Sequence, residues 1–234
     1  MKILGRTLVA PFDEFWESLG VETEIPTALI EQGHRSVFGA DSYHPSPGVL
    51  PHWMNLPDAA LSYHVAHELM HVVLRRRGYP TPLRGKSYTS ESEEARVCGD
   101  IEEMIDHPSI ESLLLPFPFD RTHIQQHLFK GAEQGLSESP VPEIGSLWWT
   151  TWACRFCELY FLLPYGEWLT LEEAYNRKCP AIAERGRDMM RIFSEEGYDN
   201  PSDALRTMVK CRDILGLQVT QKCIVFDPIS GHHY

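Results

Sequence analysis

The sequence predicts an α+β domain that is mostly helical, and three observations carry that expectation. Apolar residues recur at helical spacing through most of the chain, most plainly from Asp58 to Arg77. Helix start signals precede several of these runs, such as Ser90 three residues before Glu93. Alternating, β-branched character is confined to short pieces, the best of them 217–227 near the C-terminus.

Taken in order, 12–33 reads as one or two short helices before irregular chain. Residues 34–56 hold Gly39, Pro45, Pro47, Gly48 and Pro51 and so are turn-rich, with short strands expected at Ser36–Phe38 and Val49–Leu56. A first long helix follows, with Asn55 as cap and Pro57 and Asp58 in its opening turn. Arg75, Arg76 and Arg77 suit its C-terminal dipole, and Gly78 its stop. Residues 78–89 are expected to be a loop. A second helix, opened by the Ser90-x-x-Glu93 capping box, should run to about Asp106, ending before Pro108. Further helices are expected near 109–115, 121–130, 147–163, 171–177, 180–196 and 201–215. Residues 131–146, rich in Gly, Ser, Pro and Glu, are expected to be a loop or boundary between a core over 1–130 and a helical part over 147–234. The two parts should pack as one unit.

The chain has 234 residues, enough to bury a sizeable core. Its formal net charge of −12 argues against binding nucleic acid or an anionic membrane surface. No apolar run approaches the ~20 residues that span a bilayer. Met1 to Ala10 lacks the long apolar stretch of a signal peptide. We therefore expect a cytoplasmic protein whose six cysteines are reduced thiols.

One motif points to chemistry. His67-Glu68-Leu69-Met70-His71 reads H-E-x-x-H inside the first long helix. Residues four apart lie one turn apart on the same face, so both imidazoles can reach one metal ion. Glu68 lies about 100° around the helix from His67, close enough to hold a water on that metal. Two ligands and a general base form the zinc-hydrolase arrangement. Leu61, Val65, Leu69, Val72 and Val73 make the rest of the helix apolar. An unpartnered carboxylate in such a helix costs several kcal/mol, so Glu68 calls for a functional reason.

The motif resembles the signature of the zincin metallopeptidases. No histidine follows at the short metzincin spacing, where Arg77 stands. The resemblance therefore implies the gluzincin type, a zincin-like core in which a Glu from a second, acidic helix completes a Zn2+ site. Glu102 is the expected third ligand, with Asp106 orienting a ligand histidine; Glu94, Glu91, Cys98 and His107 remain alternatives. The layout of short extended pieces, motif helix and acidic helix also resembles the IrrE/ImmA-type intracellular zincins over about 35–115. Their usual acidic motif is not cleanly reproduced, because Ser92 stands three residues before Ala95. The implied activity is hydrolysis of a peptide bond in a protein or peptide substrate, with Glu68 as base. An edge strand within 36–56 would bind that substrate by strand addition. The alternative is a zincin fold used as a regulatory or protein-binding module with weak or no hydrolysis.

Other residues have plainer readings. His123 and His127, four apart, suit a surface helix face, and His64 a hydrogen-bonded structural role. Tyr63, His123, His127, Tyr160 and Tyr165 are candidates to stabilise an oxyanion. Cys154 and Cys157 form a C-x-x-C in an aromatic run and suit core packing. His232 and His233 suit a solvated tail.

Overall fold

The computed structural model describes residues 2–3, 6–19, 56–219 and 221–234. The strands expected at 36–38 and 49–56, the cap at Asn55 and the substrate-binding edge within 36–56 lie outside these, save Leu56. The described residues form eight helices and two small antiparallel sheets, consistent with a mostly helical α+β chain. The helices are α1 (Phe12–Ser18), α2 (Asp58–Arg76), α3 (Glu93–Leu114), α4 (Thr122–Glu138), α5 (Leu147–Leu162), α6 (Tyr165–Lys178), α7 (Pro180–Glu196) and α8 (Pro201–Ile214). The strands are β1 (Lys2–Ile3), β2 (Arg6–Thr7), β3 (Thr81–Arg84) and β4 (Cys223–Phe226).

The chain divides into two compact units, one of Met1–Leu74 with Ile110–Gln126, the other of Arg75–Ser109 with His127–Tyr234. Each boundary falls within a helix, so α2, α3 and α4 give residues to both.

In the first unit β1 pairs with β2, and Arg6 ties the following chain to α2. Its guanidinium donates to the Leu56 carbonyl and to Asp58 Oδ1, both at 2.5 Å. The Val9 amide donates to Ser62 Oγ at 2.8 Å. Phe12, Phe15, Phe117, Phe119 and Tyr63 form a chain of edge-on and tilted rings with centroids 5.5–6.4 Å apart. Such offsets suit the ring quadrupole.

The second unit is built on α5. Ser146 caps it by accepting from the Trp149 amide. Its buried face carries Trp149, Trp152, Ala153, Phe156 and Leu159, and it packs on α7. Gly186 on α7 makes that approach possible: a Cβ there would sit 2.1 Å from Phe156 Cδ1. Phe156 is fully buried and wedged edge-on between Trp168 and Tyr175, with centroids at 4.7 and 5.1 Å. The ring cannot retreat, so Gly186→Ala should lower stability by about 1–3 kcal/mol, read as an earlier urea midpoint. An unchanged midpoint would show that the α5–α7 contact can spread.

Several expectations change here. The loop at 78–89 contains β3, which pairs with β4, Thr81 opposite Phe226 and Arg84 opposite Cys223; 217–227 is strand only over those last residues. Helix α4 continues to Glu138, since Ala132, Glu133, Gln134 and Leu136 outweigh two glycines in helix propensity. Most consequentially, α3 passes through Pro108 and ends at Leu114. An interior proline removes one backbone bond and costs ~3 kcal/mol. Met104, Ile105, Ile110 and Leu114 flank it and are fully buried. At about 1.5–3 kcal/mol each, their burial outweighs the break. Ser92, not Ser90, caps this helix, accepting from the Ala95 amide at 3.2 Å.

Candidate metal centre

Helix α2 carries the motif much as the spacing predicts. Gly78, at φ +85°, follows it, with its amide on the Arg75 carbonyl. Leu61, Val65 and Leu69 are buried on its apolar face. His67 and His71 stand one turn apart with ring centroids 5.2 Å apart and planes at 72°. The His67 side chain is 12% exposed, and Glu68, at 22%, keeps access to water. His64 Nδ1 lies 3.9 Å from Glu68 Oε1.

A carboxylate faces His67. Glu111, buried on α3, places Oε1 3.5 Å from His67 Nδ1. The Tyr63 hydroxyl donates to the same oxygen, and Arg121 donates to Oε2 at 2.6 Å. The Arg121 guanidinium also lies over the Tyr63 ring, 5.8 Å from its centroid. Burial pushes the Glu111 pKa up, but His67, Arg121 and Tyr63 outweigh it and hold the group below its ordinary value. Burial and the Glu111 charge push Tyr63 far up, so it stays a hydroxyl donor.

His107, one turn before Glu111 on α3, is held in the same way. Its Nδ1 lies 2.6 Å from Oε1 of Glu158, a buried acid on α5, and Arg155 donates to Oε2 at 2.7 Å. Burial opposes charge on both partners. Charge attraction wins: Glu158 raises His107, and Arg155 first, then His107, hold Glu158 down to about 2. His67, His71 and His107 each offer one ligand atom, and these atoms lie within 4.8 Å of one another. That spacing is within metal-binding distance. Nδ1 of His67 and of His107 each faces a carboxylate oxygen, at 3.5 and 2.6 Å. A carboxylate behind a ligand histidine fixes its ring and raises its basicity.

Of the other candidates, Glu102 pairs with Arg75 at 3.4 Å. Glu91 is exposed and Glu94 partly buried. The Cys98 thiol is buried, 3.9 Å from the Lys222 carbonyl. Asp106 is buried on α3. His123, His127, Tyr160 and Tyr165 are exposed, whereas Tyr63 is committed to Glu111. Cys154 and Cys157 are buried, and burial raises both thiols well above their ordinary range, as core packing requires. The C-terminal residues are anchored, not loose: Tyr234 and Val225 exchange backbone hydrogen bonds, and His233 packs on Phe226 at 5.0 Å.

Sequence reasoning missed Glu111 and Glu158. Ending the second helix at Pro108 hid Glu111, which continuity would have placed four residues after His107 on one face. Glu158 carried its own signal, as the acid within the apolar run of α5.

In comparisons with known proteins, no family model, curated protein or solved structure matches this chain. Among the described residues no helix is long and apolar enough to cross a membrane.

Proposed function

We propose that this protein is a zinc-dependent hydrolase, a metallopeptidase, in which His67, His71 and His107 hold the ion and Glu68 is the general base. The observation that carries it is the approach of the three imidazoles to within 4.8 Å, two of them backed by buried carboxylates. Three neutral nitrogen donors suit Zn2+ and leave a fourth position for water or substrate. Glu102 yields to His107 in this reading because of its pairing with Arg75. The peptide bond as substrate rests on the resemblance of His67–His71 to the zincin signature.

When bound, zinc supplies Lewis acidity that makes a water nucleophilic and polarises a carbonyl. Glu68 accepts the proton of the attacking water and returns it to the departing amine. Glu111 and Glu158 keep His67 and His107 in the tautomer that presents Nε2, and each takes up part of the positive charge the ligand rings acquire. Arg121 and Arg155 keep those acids ionised. Metal loading displaces any proton on His107, so affinity falls in acid.

Elemental analysis of purified variants tests the ligand set. His71→Ala and His107→Ala should lose zinc, and Glu102→Ala should keep it. Glu111→Gln should retain zinc with about 10–100-fold weaker affinity in a chelator competition. Full zinc in His107→Ala, or loss in Glu102→Ala, would move the third ligand to Glu102.

A further inference from the structure

A solvent-open cleft of about 420 Å3 lies within the second unit, lined from α3, α4, α5 and α6. Neither the motif helix nor the proposed reaction uses it. Two glycines, Gly131 and Gly135, stand one turn apart on its α4 side. Each costs about 1 kcal/mol relative to alanine inside a helix. A Cβ added at either would meet nothing within 4 Å, so close packing does not call for them. Their effect is to leave room.

The chemistry of the walls is specific. Asp100 and Glu103 line the α3 side, and Trp148, Trp152 and Tyr175 line α5 and α6. Asp100 is partly buried and accepts from the Thr151 hydroxyl at 2.6 Å. Burial, with the Glu158 charge, raises its pKa more than that bond and the more distant Arg96 and Arg155 lower it. Arg155, the cation of the lining, already pairs with Glu158 at 2.7 Å. The aromatic faces accept positive charge: Arg96 lies 5.7 Å from the Trp148 ring centroid and Lys178 6.0 Å from that of Trp152.

We propose that this cleft binds a primary alkylammonium ion, its ammonium on Asp100 and Glu103 and its chain against Trp148, Trp152 and Tyr175. A carboxylate held by a neutral hydroxyl, a second acid, aromatic walls and unfilled space beside two helical glycines together select a cation with an apolar tail. An anion would meet two carboxylates. A neutral molecule of the same shape would leave the charge on Asp100 unanswered.

The test uses the full chain with n-pentylamine and its neutral counterpart 1-pentanol, followed by tryptophan fluorescence and by the indole N–H resonances of Trp148 and Trp152. Pentylamine should give a saturable change and pentanol none. Asp100→Asn should weaken pentylamine at least tenfold. Gly135→Leu, which fills the room with a good helix former, should abolish binding, with melting curves confirming that both variants fold. Equal titration by pentanol, no saturable change with pentylamine, or full affinity in both variants would overturn the assignment. The wild-type comparison of amine with alcohol decides the matter even where a variant fails to fold. Because the readout is binding and not turnover, the result is independent of the zinc reading.

Discussion

Glu68→Gln should keep its zinc and lose its hydrolysis. Glutamine matches glutamate in shape but cannot accept a proton from water, so only the base is removed. Glu68 lies outside the group of three histidines, and the ion is expected to stay. Its 22% exposed side chain is placed to meet solvent, with His64 Nδ1 3.9 Å away. General-base catalysis contributes about 10²–10⁴-fold, so peptide cleavage should fall by at least that range at unchanged zinc content. Cleavage of a diverse peptide library, with elemental analysis on the same preparations, separates the two effects. His71→Ala should lose both together. Cleavage at wild-type rate in Glu68→Gln would remove the hydrolytic role from this residue. Identical peptide termini with wild type and with Glu68→Gln, across many conditions, would favour the protein-binding reading of the same helix.

The motif was legible because its information is local: five residues on one helix face fix two ligands and a base without any knowledge of tertiary contacts. The remainder of the centre is set by contacts between residues far apart in sequence. His67 meets Glu111 across 44 positions, and His107 meets Glu158 across 51. Spacing rules do not reach that far. The acid-rich stretch of α3 offers several carboxylates that spacing alone does not rank. Glu102 has the residue type that the resemblance calls for, and it pairs with Arg75 near the end of α2. Pro108 misplaced the helix end, because local propensity ends a helix there while burial on both sides continues it. For the fold as a whole, helix positions beyond 147 followed from periodicity, except that α6 starts at Tyr165 and not near 171. The β3–β4 pairing did not, since Thr81–Arg84 is short and gains its strand character from β4.

Glu158→Ala should be among the most destabilising single changes in the chain. The acid is 3% exposed within an apolar helix, and it holds both His107 and the Arg155 guanidinium, at 2.6 and 2.7 Å. Removing one partner of a buried ion pair costs about 3–5 kcal/mol, because the other is left buried and uncompensated. Here the lower end is expected. Arg155 is 35% exposed and can turn to water, and His107 can release its proton. Acid titration gives an independent measure of the same contact. In the folded chain Glu158 is held down to about 2, against an ordinary value near 4.5. A depressed acid contributes stability above its unfolded pKa and loses it as pH falls toward the folded value. The shift corresponds to about 3 kcal/mol lost between roughly pH 4.5 and 2. His107, whose value is raised, acts with the opposite sign: its contribution is present below its ordinary value of 6.5 and fades as pH rises through the raised one. Urea midpoints of the zinc-free protein at pH 3, 6 and 8 should therefore peak near 6. In Glu158→Gln, which keeps the shape without the charge, both limbs should flatten. A pH profile unchanged by that substitution would mean that the pair contributes no stability, and that Glu158 serves His107 only by fixing its orientation.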